Sequence, residues 1–194
     1  MNRGKGKITE ELTGIIMTDH LTVVEILLGR DHYLIDGDMI DKFVRPLKTI
    51  EVYDSPDYIE GMASWGEEVI PVVNIAPLLG MERVGTKRQR TLIIHKGAVC
   101  DTEMAVSVDE IFHVRKIEAS DIMPVDISVC KGMEEYVKGL IRIKVTDDGS
   151  ESELLLLYLN LHKMLTELLR GKIARPVPDF YIWRWDTAGS ESGT

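Results

Sequence analysis

Cysteine is nearly absent from this chain, whose 194 residues contain only Cys100 and Cys130. Two cysteines make no disulfide framework, and their separation fits no metal-binding spacing. Both are expected as reduced, buried thiols, the usual state in a cytosolic protein. Positive charge is also short. Lysine and arginine number 23 against 32 aspartates and glutamates, a net charge of −9. An acidic surface argues against general nucleic-acid binding and against direct docking on an anionic membrane. No apolar run reaches the roughly 20 residues of a transmembrane helix. The basic start has an apolar part of only residues 15–17, too short for a secretory signal. The cytoplasm is the expected location.

The usual marks of catalysis are missing as well. His20, His32, His95, His113 and His162 have no metal-like spacing. No Ser/His/Asp or Cys/His order suggests a nucleophile, and there is no glycine-rich phosphate loop. The acidic stretch 147–151 lacks the alternating ligands of an EF-hand loop and reads as a solvated hairpin turn. Lys87, Arg88 and Arg90 form a basic loop that is expected to be solvated in so acidic a protein. No internal repeat stands out.

What is present is a succession of short β patterns. Residues 21–28 (LTVVEILL) are β-branched and apolar, and Gly29-Arg30-Asp31 turns them back along 32–36. Residues 38–44 suit helix or strand, with Pro46 limiting any helix. Residues 59–79 read as a strand, a turn, an apolar strand opened by Pro71 and closed by Asn74, and a helical turn at Leu78 and Leu79 that Gly80 can stop. Strands are expected over 91–95, 104–108 and 111–114, a helical turn or loop over 116–123, and a hairpin from 137–145 and 153–159. One helix is clear. Leu161, Met164, Leu165, Leu168 and Leu169 form one apolar stripe across 160–170, with Arg170 and Gly171 suited to its end. Eight to ten short strands with few helices imply an all-β barrel or sandwich, and two small barrels sharing an interface suit this length best.

Several blocks in this order resemble the CheW-like domain family over about residues 21–170. They are Gly29-x-x-x-Tyr33-x-Ile35-Asp36, the segment 61–79, Val106-x-Val108-Asp109-Glu110-Ile111-x-x-Val114 with Ile117 and Ile122-Met123-Pro124 downstream, and Tyr136-Val137-x-Gly139 ahead of the strand 154–157 and the closing helix. The resemblance implies two packed five-stranded β-barrels with a C-terminal helix and short helical turns. It implies a non-catalytic chemotaxis adaptor without cofactor or metal, joining the regulatory domain of a histidine kinase to the cytoplasmic tip of a methyl-accepting chemoreceptor. On that basis 1–17 is a flexible extension, 18–170 the CheW-like domain, and 171–194 a partly disordered aromatic tail. Recruitment to receptor arrays at the membrane would follow.

One block departs from the family. After Gly61 the family usually reads Val-x-Asn-Leu-Arg-Gly, where this chain has Met62, Ala63, Ser64, Trp65, Gly66 and Glu67. Where the family has a glutamate after the first hairpin, this chain has Lys42. Lys42 and Glu67 could therefore form a charge-swapped pair, or be two unrelated surface charges. The candidate partner-binding residues are Ile40, Lys42, Gly61, Trp65, Gly66 and Glu67. Gly61 also has a plain structural role as a turn glycine, and Trp65 is as readily a core cap as an exposed anchor. Tyr181, Trp183 and Trp185, on one side of an extended tail, are weaker candidates that could instead fold back on the domain. The departure also admits a specialised adaptor for pilus motility or another histidine kinase. A ligand sensor with a pocket between the barrels is the competing class.

Overall fold

The computed structural model describes residues 20–81, 87–126, 133–147 and 150–170. The expected flexible extension 1–17, the aromatic tail with Tyr181, Trp183 and Trp185, Gly171 and Cys130 lie outside these residues, as do positions 148–149 of the acidic hairpin. The described residues form twelve strands: β1 His20–Leu28, β2 Asp31–Asp36, β3 Ile40–Val44, β4 Thr49–Ile50, β5 Ile59–Trp65, β6 Glu68–Asn74, β7 Arg90–Ile94, β8 Met104–Val108, β9 Glu110–Glu118, β10 Ile122–Met123, β11 Val137–Asp147 and β12 Ser150–Leu159. The helix α1 is Leu161–Leu169.

The strands form two sheets, ordered β10-β11-β12-β2-β1-β9 and β3-β7-β8-β6-β5-β4. Each has five longer strands, as the small-barrel reading requires, plus a two-residue edge strand, β10 in the first sheet and β4 in the second. The second barrel is one continuous insertion between β2 and β9. The first is built from both ends of the chain.

The two sheets follow the same path. The six strands from β1 to β6 and the six from β7 to β12 repeat one connection pattern, with the barrels exchanged between the halves. Each half lends its opening hairpin to one barrel and its last four strands to the other. The register matches in detail. β4 pairs Thr49 with Ala63 and Ile50 with Met62, and β10 pairs Ile122 with Ile141 and Met123 with Leu140. The parallel pairs Val72–Ala105 and Tyr158–Leu34 are equivalent. A β-bulge lies just before Gly61 in β5 and just before Gly139 in β11. The repeat, absent from the reading of the sequence, is therefore real in the topology. It lives in backbone pairing, which tolerates most side-chain changes, so only its glycines remain visible.

Both glycines are sterically required. Gly61 has φ +133°, and a Cβ there would collide with the Ile50 carbonyl oxygen of β4. A Cβ on Gly139 would come within 2.6 Å of the Met123 carbonyl oxygen of β10. In each barrel the short edge strand crosses a residue without a side chain, and the backbones can close up.

Three apolar clusters hold the molecule. Val23, Leu34, Ile117, Ile141, Ile143, Leu156 and Tyr158 fill the first barrel. Ala63, Ile70, Val72, Ile93 and Ala105 fill the second. The largest cluster lies between the barrels and takes in Val24, Ile26, Tyr33, Ile35, Val73, Leu92, Ile94, Met104 and Val106 together with the buried face of α1. Successive residues such as Val23 and Val24, or Ile93 and Ile94, thus face different cores. That is why these strands read as continuous apolar runs rather than alternating ones. Full burial of each such side chain contributes about 1.5–3 kcal/mol.

Asn160 caps α1 by accepting the Lys163 amide at 3.0 Å. Leu161, Met164, Leu165 and Leu168 are buried on the shared core, but Leu169 is half exposed, at the margin of the expected stripe. Residues 116–118 belong to β9, not to a helical turn. The turn is confined to Ala119–Asp121, where the Glu118 amide donates to the Asp121 carboxylate at 2.9 Å. Residues 40–44 are strand. The turn Pro77–Leu79 follows buried Asn74, which accepts the Ala76 amide at 3.0 Å, and Gly80 stops it with φ +68°. Cys100 is only half buried, because it lies in the loop between β7 and β8, where Sγ donates to the Thr102 carbonyl.

Candidate interaction cleft

The tight turn between β5 and β6 needs a positive φ at its first central position, which Gly66 supplies at +60°. A Cβ there would touch nothing, so Gly66 serves the turn's conformation and not a close approach. The turn presents Glu67 and Glu68 at one end of the second barrel. Beside it run the edge strand β3, the residues after β7 and the residue before β8. Together Lys42, Trp65, Gly66, Glu67, Glu68, Lys96 and Glu103 line an open cleft of about 600 Å³.

Trp65 is half buried, with one side against the interior of the second barrel. The Lys42 ammonium lies 5.7 Å from the centre of its ring, within the range of a cation–π interaction. The ion pair of Lys42 is with Asp41, at 3.0 Å, and not with Glu67. Of the two alternatives, the charge-swapped pair is not formed, and among the described residues Lys42 and Glu67 are separate surface charges. The lysine head lies over the indole and is paired with the adjacent residue of its own strand.

The cleft thus brings together Lys42, Trp65, Gly66 and Glu67 from the sequence-derived candidates. It does not include Ile40, which is partly buried against the shared core. Nor does it include Gly61, which lies buried beneath β4. Glu68, Lys96 and Glu103 were missed. They come from three separate segments, and only the pairing of β7 with β8 and of β6 with β8 assembles them. A second open cleft, about 440 Å³, lies under the loop after β4 and is lined by Thr49, Glu51, Val52, Ser55, Pro56, Asp57, Ile59 and Glu60.

Most other polar clusters are committed internally. Buried Glu25 on β1 receives His32 Nδ1 at 2.9 Å, His113 Nδ1 at 3.0 Å and Arg115 at 3.3 Å. Burial pushes its carboxyl up, but these bonds more than reverse that and hold it below the ordinary value. The Tyr158 hydroxyl donates to Asp36, and the Tyr136 hydroxyl donates to Glu167 at 2.6 Å. Both phenols are pushed well above their ordinary value, first by burial and then by the carboxylate they bond. Arg90 in the basic loop donates to the Gln89 carbonyl at 2.8 Å, and Arg88 pairs with Glu110 at 2.9 Å. Among the described residues no three His, Cys, Asp or Glu side chains converge as a metal site, and no helix is long and apolar enough to cross a membrane.

Comparison with known proteins agrees with this architecture. The family model described as CheW-like domain matches residues 22–169. The chain is 24% identical over 155 residues to the chemotaxis protein CheW of Thermotoga maritima, covering 78% of this chain and 94% of that protein. The crystal structure of the scaffolding protein TtCheW from Thermoanaerobacter tengcongensis superposes with a TM-score of 0.57 at 19% identity, covering 74% of this chain and 91% of that one. Two small β-barrels in the shared topology, matched over most of their length, place the chain in the CheW-like domain family.

Proposed function

We propose that this chain is a non-catalytic chemotaxis adaptor that couples chemoreceptors to a histidine kinase. It would work in the cytoplasm and be recruited to receptor arrays by its partners. The observation that carries this reading is the cleft of Lys42, Trp65, Gly66 and Glu67 beside the edge of β3 that no other described strand pairs. An unpaired edge next to a half-exposed tryptophan is a surface for another protein, and it falls in the block where the chain departs from its family. Membership of the family supports the adaptor role.

The sensor reading has less support. The space between the barrels is filled by the shared core, so a ligand there would have to displace packed side chains. An adaptor alters kinase output by binding one kinase conformation better than another. Titration calorimetry of the full chain against kinase regulatory domains from the same organism, with and without a receptor-tip fragment, tests the reading. Joint binding of both partners is expected. Binding to neither overturns it.

A further inference from the structure

The charges of the cleft are unevenly satisfied. Lys42 already has Asp41 at 3.0 Å and the Trp65 ring at 5.7 Å. Glu67 and Glu68 are exposed on the turn, Glu103 is half exposed, and no ion pair within 4.0 Å reaches any of the three among the described residues. Lys96 is the one unpaired cation of the lining residues. Two ammonium groups thus face the three glutamates and Asp41, an excess of two negative charges around an indole. The same end of the barrel carries the outer edge of β3, which among the described residues pairs only with β7. Phe43, also on β3, is 46% exposed.

We infer that this cleft takes an extended segment of a partner protein that carries arginine or lysine. The segment pairs with the free edge of β3, sets its cationic side chain among Glu67, Glu68 and Glu103, and covers Trp65. Backbone pairing supplies a sequence-tolerant part of the affinity, and side chains at alternate positions supply the selection. Complementary charge mainly speeds encounter and rejects wrong partners. An acidic segment would meet three carboxylates with only Lys96 to offset them, because Lys42 is already neutralised by Asp41. The inference deepens the adaptor reading and rests on it.

The test measures affinity of the full chain for the kinase regulatory domain and for the receptor-tip fragment, at low and high salt. Glu67→Lys and Glu103→Lys reverse charge inside the cleft, and Glu51→Lys makes the same change outside it. Circular dichroism establishes that each variant is folded, and Glu67→Gln and Glu103→Gln repeat the test without adding charge. Each reversal in the cleft is expected to weaken one partner about tenfold, with Glu51→Lys near wild type and high salt weakening the wild type. Equal effects of all three reversals, or none, overturn the inference, and tighter binding on reversal overturns it in favour of an acidic partner. A wild-type chain that binds neither partner overturns the adaptor reading itself, a distinct result from binding that ignores these charges.

Discussion

The Lys138 ammonium lies 2.7 Å from both carboxylate oxygens of Asp36, joining β11 to β2 in the first barrel. At the equivalent place in the second barrel the Ser107 hydroxyl donates to Glu60 at 2.9 Å, joining β8 to β5. The residue types differ completely, yet both pairs close the same gap across the central strand of a barrel. Lys138 also lies 4.8 Å from the centre of the Tyr158 ring, whose hydroxyl bonds Asp36. The swapped repeat thus survives as a set of positions, each filled by different chemistry.

The repeat predicts how the chain responds to cutting. Each barrel contains strands from both halves, joined through β1 with β9, β2 with β12, β3 with β7 and β6 with β8. A protease site placed in the full chain between Gly80 and Arg90, then cleaved under native conditions, should leave two fragments that co-elute in size exclusion. They should part only in denaturant. Fragments that separate in native buffer would count against the exchange of hairpins.

The two glycine types should behave differently. Gly61→Ala puts a Cβ into the Ile50 carbonyl at φ +133° and should destabilise by about 2–4 kcal/mol, read as a fall in urea midpoint. Gly66→Ala faces open space at φ +60° and should lose about 1 kcal/mol. The reverse ranking would contradict the close approach of β4 to β5.

Glu25 should make stability depend on acid. Its folded carboxyl lies below its ordinary value, so the native state favours the charged form. The stabilisation is present above the ordinary carboxylate range and is lost as pH falls through the depressed folded value. Glu25→Gln should lower stability by about 1–3 kcal/mol at pH 7, where its three donors lose their anion. The gap to wild type should close as urea titrations move down through the depressed folded value, below the ordinary carboxylate range. A gap that stays constant with pH would show that Glu25 acts only through packing.

Around Trp65, a double-mutant cycle separates two neighbours of Lys42. The pair Lys42 and Trp65 should couple by about 0.5–1 kcal/mol in unfolding free energy. Lys42 and Glu67 should show none. Coupling between Lys42 and Glu67 instead would restore the charge-swapped pair.

Much of the architecture was legible along the chain. The apolar run 21–28 with its Gly29 turn became β1 and β2, and the stripe of Leu161, Met164, Leu165 and Leu168 became α1. In the segment 59–79 the two strands, Asn74, the helical turn and Gly80 folded as read, but β6 begins at Glu68 and carries Pro71 within it, because the tight turn at Gly66 and Glu67 starts the pairing three residues before the expected opening at Pro71. The extent of β9 was less clear, because Lys116 and Glu118 are exposed edge positions whose polarity resembles a loop. The site was half legible. Lys42 and Trp65 were singled out as departures from a family pattern, but their mutual contact was not, and Glu68, Lys96 and Glu103 carried no signal at all.

Apolar patterning, turn glycines and capping residues determined which segments became strands, hairpins and helix, since those preferences act over a few neighbouring residues. Which hairpin joined which barrel, where the two-residue edge strands crossed Gly61 and Gly139, and whether Lys42 met Glu67 or Trp65 were decided only by tertiary packing. These outcomes depend on pairings between residues far apart in the chain, and a local pattern holds no information about the distance that folding leaves between them.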